Sequence, residues 1–173
     1  TRKESSAASD VYKRQVDLVI ASGGLIAPAL QRVTVGQGGY ACLVDGASLA
    51  PGEAALTVEA FTRRPHVLVS SGGFIGVVDE VLHGMGQTRR VLAATTHFAA
   101  LPFLMQGSDA LATLPAHAAR GLAAVTGLRL LPCPIAMPGY AIEMGWRADA
   151  LRDEAVAAAR RCLLGLLQGY RWE

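Results

Sequence analysis

The sequence predicts an α/β fold, and three observations predict it. Short apolar runs that read as buried strands alternate with helical patterns from Val16 to the end of the chain. Turns marked by Gly or Pro separate them. Hydrophobic residues make up 51% and charged residues 17%, which supplies a substantial core and excludes a disordered chain. Such an alternation predicts largely parallel sheets.

The elements follow in order. Residues 16–21 (VDLVIA) form an apolar run that stops at Ser22-Gly23-Gly24, which predicts a buried strand and a turn. Residues 30–44 carry β-branched and aromatic positions on both sides of GQGG, so one long extended segment is expected to bend there. A loop is expected over 45–52. Residues 56–62 predict a short helix that Thr57 can cap and that Arg64-Pro65 stops. HVLVS (66–70) reads as a second buried strand, and SSGGF (70–74) as the loop after it. Val77, Val78, Val81, Leu82 and Met85 recur at helical spacing. A strand (RRVLAATTHF), a short helix ending near Gly107, a strand (DALATLP), a helix closing on Gly127 and a strand (LRLLPCP) come next. Residues 138–147 are expected to be extended, with Ile142, Met144 and Trp146 on one face. A final amphipathic helix is expected over 150–167, with Asp149 as its N-cap and Asp153 and Glu154 in the first turn.

The charge balance excludes a nucleic-acid face within this chain. The formal net charge of +2 comes from residues 1–15, where Arg2, Lys3, Lys13 and Arg14 outweigh Glu4 and Asp10, and the remainder is balanced. Those residues also hold both lysines of the chain, and SSAASDVYKRQ resembles a translated adaptor or assembly scar. Residues 1–15 are therefore read as a non-native leader and set aside. Cys42, Cys133 and Cys162 are far apart, with no C-x-x-C spacing, so neither a disulfide framework nor a zinc site is expected and each reads as a small buried hydrophobe. That usage suits a reduced, cytoplasmic setting. His66, His83, His97 and His117 have no partner four residues on, no G-x-S-x-G occurs, and the Gly-rich stretches fit no dinucleotide or phosphate loop. Neither a cofactor nor a metal is expected. The longest apolar runs fall well short of a membrane span.

One constellation suggests binding. SSGG follows one expected parallel strand and Thr95-Thr96-His97-Phe98 follows another, each just before a helix. In open α/β sheets ligands sit outside the carboxyl ends of strands, where backbone N–H groups can hold an anion. Ser70, Ser71 and Thr96 offer hydroxyls, His97 a polar ring and Phe98 an apolar wall. Such a mixture suits a small, partly apolar acid. Taken singly, each of these residues is as well explained by local capping or packing.

The order of segments carries a resemblance. Pro65-His66-Val67, Val78-Asp79, residues 86–91 (GMGQTRRV from 84), His97-Phe98, Leu101-Pro102 and residues 112–115 (ATLP) follow one another as in the second subdomain of LysR-type transcriptional regulators. The branch that includes the nodulation- and toxin-gene regulators is the one the chain most resembles. Met144-Gly145-Trp146-Arg147 resembles the family's strand ending in Trp-His, with Arg in place of His, and residues 16–20 resemble the Asp-Leu strand of its first subdomain. The resemblance implies a two-lobed fold like a type 2 periplasmic binding protein, with the first lobe incomplete. It implies a first lobe of residues 16–42 and 138–173, a second lobe of 43–137, and a ligand held between lobes at Ser70, Ser71, Thr96, His97 and Phe98. The implied partner is a small-molecule effector, an organic acid or an aromatic. DNA would be bound only through a missing N-terminal domain, by a homodimer or homotetramer. Two rivals remain: a periplasmic solute-binding protein of the same fold, and an α/β enzyme that uses His97, or His66 with Asp79.

Overall fold

The computed structural model describes residues 16–22, 24–70 and 76–172. Residues 1–15, 23, 71–75 and 173 lie outside the described residues, and with them the expected leader and most of the expected loop at 70–74. Contacts divide the chain into two compact units, which part at Gln37/Gly38 and again at Gly139/Tyr140.

The first unit holds β1 (Leu18–Ser22), β2 (Gln31–Gly38), β8 (Tyr140–Trp146) and a helix, α5 (Glu154–Gln168). The sheet order is β1-β8-β2. β1 and β8 run antiparallel, with Leu18 opposite Trp146 and Ser22 opposite Ile142. This corrects the expectation of largely parallel sheets for this unit, because alternation of strand and helix says nothing about which distant strands pair. β1 is also less buried than its run of apolar residues predicts: Ile20 remains 42% exposed. In β8 the period of two holds, and Ile142, Met144 and Trp146 are all buried. The Trp146 indole N–H donates to the Gln31 side-chain oxygen at 2.7 Å, and the Arg160 guanidinium carbon lies 3.9 Å from the ring centre. Asp149 begins only a 3-10 turn (Ala150–Arg152) and caps nothing with its side chain. The cap of α5 is Asp153, whose carboxylate accepts from Ala155 and Val156 N–H at 2.8 and 3.4 Å.

The second unit is built on five strands: β3 (Tyr40–Asp45), β4 (Pro65–Val69), β5 (Arg90–Thr95), β6 (Leu111–Pro115) and β7 (Leu128–Pro132). Their order is β5-β4-β6-β3-β7. β4 is parallel to β5 and β6, whereas β3 runs antiparallel to both β6 and β7. β3 enters directly from the bend at Gly39 rather than through a crossover helix, which leaves it free to run against its neighbours. The expected loop after it contains a 3-10 turn (Gly46–Ser48) held by Asp45, which accepts from Ala47 N–H and also from Gly107 N–H at 2.6 Å.

Both faces of this sheet are covered, which explains the continuous apolar run in β3. Ala41 and Leu43 pack with Leu101 and Met105 of α3 (Leu101–Met105) and with Ala116 and Ala119 of α4 (Ala116–Val125). Cys42 and Val44 face the other way, onto Phe61 of α1 (Val58–Arg63) and Val78 and Leu82 of α2 (Val77–Gly84). Burial of each such side chain favours folding by roughly 1.5–3 kcal/mol before entropy is counted. Thr57 caps α1 as its sequence predicts, accepting from Ala60 N–H at 3.1 Å. Gly107 ends α3 at φ +70°, a left-handed conformation that favours glycine.

Candidate functional site

β4 is apolar and buried until Val69, where the chain must leave the sheet. Ser70 stays attached there, its N–H donating to Thr95 O at 2.9 Å and so tying the ends of β4 and β5 together. The chain returns at Gly76 to start α2. Asp79, in the first turn of that helix, accepts from Gly76 N–H at 2.7 Å. Its carboxylate also takes two bonds from Arg89, Nε to Oδ1 at 2.8 Å and Nη2 to Oδ2 at 2.6 Å. The Arg89 side chain is 1% exposed. A buried guanidinium needs such a partner, since the isolated charge would be far too costly.

His66 extends the chain of bonds inward. It is fully buried in β4, and its Nε2 sits 2.9 Å from Phe61 O, a group that can only accept. Nε2 therefore carries the proton and Nδ1 accepts from Arg89 Nη1 at 3.3 Å. Burial, chiefly, pushes the imidazole down to about 4, so it stays neutral near neutral pH. The Arg89 hydrogen bonds hold the Asp79 carboxyl below its usual range. Arg89 thus stands between His66 and Asp79. An acid–base dyad of those two, one of the enzyme arrangements considered, is not what their geometry provides.

Above this network, at the carboxyl ends of β4 and β6, lies a cavity of about 260 Å³. Tyr40, Ser70, Thr113 and Arg89 give it polar groups, and Leu68 and Phe98 give it apolar walls. The start of α2 borders it at Gly76 and Val77. Burial pushes the Tyr40 phenol up, so it remains a neutral donor. A larger and more open groove of about 420 Å³ runs beside Arg120, Leu130 and Pro132, where β7 ends and Ala116 opens α4, and its polar side chains are Tyr40 and Arg120.

Of the residues expected to bind a ligand, Ser70 and Phe98 line the cavity. Thr96 and His97 are exposed on the following turn, where His97 N–H donates to Thr95 Oγ1 at 3.2 Å. Ser71 lies outside the described residues. Tyr40, Arg89 and Thr113 were not anticipated. Tyr40 stands just after the predicted bend, and Arg89 lies in the segment that carries the family resemblance. Nothing in the sequence places Thr113 beside them; that needs the β4–β6 pairing, in which His66 is opposite Leu111.

Comparison with known proteins gives a consistent result. Residues 3–168 match the family model for the LysR substrate binding domain. The HTH-type transcriptional activator NahR of Pseudomonas putida is 34% identical over 112 residues, covering 64% of this chain and 37% of that protein. Nodulation protein D 2 of Sinorhizobium fredii is 33% identical over 111 residues, covering 63% and 36%. The chain thus spans little more than a third of these relatives. Among solved structures, the regulatory domain of MexT, a transcriptional activator in Pseudomonas aeruginosa, superposes with a TM-score of 0.73 at 28% identity, covering 89% of this chain and 74% of that one. A putative transcriptional regulator from Vibrio parahaemolyticus shares the fold, with a TM-score of 0.76 at 19% identity over 95% of this chain and 77% of that one.

Proposed function

The chain belongs to the LysR substrate-binding-domain family, and from that premise we propose that it is the effector-sensing part of a transcriptional regulator. The cavity at the ends of β4 and β6 carries this reading. Its volume suits a small molecule, and its walls pair hydroxyls with apolar surface. Arg89 is already neutralised by Asp79, so the walls favour a ligand that is only partly charged: a small organic acid or an aromatic. The ligand set is Ser70, Phe98, Tyr40, Thr113 and Arg89, extended by Ser71, Thr96 and His97 where a ligand reaches over the turn. QuiR, whose effector-binding domain has been solved with shikimate, has the same fold at 12% identity. That shared fold supports including small hydroxylated acids among the candidate effectors.

In the same reading the protein is not a catalyst. The effector acts by binding two arrangements of the regulator unequally. DNA is contacted by a domain outside these 173 residues, in a homodimer or homotetramer. The site works in the cytoplasm. No helix of the described residues is long and apolar enough to cross a membrane.

A panel of small carboxylates, shikimate and benzoate among them, tests the proposal by calorimetry and thermal shift, with NMR to follow the compounds. Saturable binding of one without turnover is expected. Conversion of a bound compound to product would replace sensing with catalysis. If no compound binds, the cavity is not the sensor of small acids.

A further inference from the structure

The sequence separates Cys42 and Cys133 widely, yet the fold brings them together. Cys42 lies in the middle of β3, opposite Leu131 of β7. Cys133 follows Leu131 by two residues, so it falls on the same face of the sheet, diagonal to Cys42. Both belong to the apolar cluster under α1 and α2. The two thiols lie close enough to perturb one another's titration, and Cys42 Sγ lies 3.7 Å from Thr113 Oγ1. All three cysteines are free thiols.

The two sulfurs are not equivalent. Cys42 is fully buried, and the neighbouring Cys133 together with desolvation pushes its thiol up. Cys133 is only partly buried, and the neighbouring Cys42, aided by Ile135 N–H, holds its thiol down against desolvation. Cys133, the more exposed of the two sulfurs, is therefore the one an oxidant reaches first and supplies the nucleophile.

We propose that Cys42 and Cys133 form an oxidisable dithiol that closes to a disulfide under hydroperoxide. The Cys133 thiolate attacks one peroxide oxygen, forming an S–O bond as the O–O bond breaks, and the alcohol or water leaves with a proton. The Cys42 sulfur then attacks the Cys133 sulfenic acid, forming the S–S bond, and hydroxide departs as water with the Cys42 proton. Two electrons pass from the thiols to the peroxide. Only Cys133 need meet the oxidant, so the burial of Cys42 is no obstacle. Diagonal partners stand about 7–8 Å apart at Cα, and a disulfide needs at most about 6.8 Å. Cys133 lies just past the end of β7, which closes at Pro132, so no ladder position has to break for it to move inward. This inference does not depend on the effector reading.

The test uses the reduced chain carrying Cys162→Ser, which removes the exposed third thiol. It is treated with one equivalent of hydrogen peroxide, alkylated in denaturant and mapped without reduction. The expected result is a peptide pair joined through Cys42 and Cys133, with loss of alkylation at both and full recovery on reduction. Cys133→Ser abolishes the link. Cys42→Ser leaves a sulfenic acid on Cys133 that dimedone captures. Cys42 and Cys133 both remaining alkylatable would overturn the proposal. So would oxidation of Cys133 straight to the sulfinic acid with Cys42 intact. If Cys42→Ser fails to fold, the peptide map of the Cys162→Ser protein decides alone.

Discussion

The Arg89 guanidinium reaches Asp79 through two hydrogen bonds of 2.8 and 2.6 Å, and so closes the first turn of α2 onto the segment that leads into β5. Because Asp79 also holds Gly76 N–H, one carboxylate organises both the helix start and the cation beneath the cavity. Arg89→Met removes the cation and leaves Asp79 and His66 Nδ1 each short of a partner. A fully buried pair would cost ~3–5 kcal/mol to break, and the 26% exposure of Asp79 lowers the expected loss to about 2–3 kcal/mol. Urea unfolding with an unchanged slope measures it. Asp79→Asn combined with Arg89→Met should lose less than the two single losses added, since both remove the same contact.

His66 makes stability depend on pH in a definite direction. Its folded value of about 4 lies below the ordinary 6.5. Between those values the unfolded chain binds a proton that the folded chain does not, so stability rises with pH across the window and falls as pH drops from 6.5 toward 4. The expected loss is on the order of 3 kcal/mol. His66→Gln can still donate to Phe61 O and does not titrate, so its stability should be nearly flat over that range. Urea midpoints at several pH values in the window compare the two proteins. Asp79, whose folded value is depressed, adds its own loss only below its unfolded value near 3.8.

Periodicity made some parts of this fold legible and hid others. The capped helix after Thr57, the break at Gly39 and the buried face of Ile142, Met144 and Trp146 all follow from local residue order, and they are found. Strand direction does not follow from local order: β3 runs against β6, and β1 pairs with β8 from the far end of the chain. The site divides in the same way. Ser70 and Phe98 stand next to strand ends and could be inferred. Thr113 reaches the cavity, and Cys133 reaches Cys42, only through register between distant strands, which no spacing in the sequence records.

The start of α5 distinguishes two aspartates that look equivalent in sequence. Asp153 accepts from two backbone N–H groups of the first turn, while Asp149 makes no capping bond. Asp153→Ala should cost about 1 kcal/mol, in the usual range for an N-cap. Asp149→Ala should cost only a few tenths, because all it loses is a 3.8 Å contact with Arg147 in which its own side chain is 65% exposed. Thermal unfolding of the two variants side by side should show the difference. Equal losses would contradict the cap assignment.

Gly145 lies in β8 because there is no room for a side chain. A Cβ there would stand 2.9 Å from Ile26 Cγ2 and 3.1 Å from Val19 Cγ1. Gly145→Ala should therefore destabilise the chain by about 1–3 kcal/mol through overpacking. Gly145→Ala combined with Ile26→Val removes one methylene from the crowded side and should recover part of that loss. Denaturant midpoints for the single and double variants measure the recovery, and no recovery would place the strain elsewhere.

Phe98 and His97 are neighbours in sequence with different surroundings, which lets one pair of variants locate the ligand. Phe98 is 38% exposed and walls the cavity, whereas His97 is exposed on the turn and holds Thr95 only through its backbone. For the carboxylate that binds most tightly in the panel, Phe98→Ala should weaken binding about tenfold, near the 1.4 kcal/mol expected from losing part of an apolar wall. His97→Ala keeps its backbone bond, so unfolding should barely change. A ligand confined to the cavity leaves the affinity of His97→Ala within about twofold of the parent, a difference of only a few tenths of a kcal/mol. A ligand that extends over the turn weakens with both substitutions. If His97→Ala alone weakens binding, the ligand sits over the turn and the cavity at the ends of β4 and β6 is not where it is held. Calorimetric titration of the parent and both variants at one pH and salt concentration separates these cases.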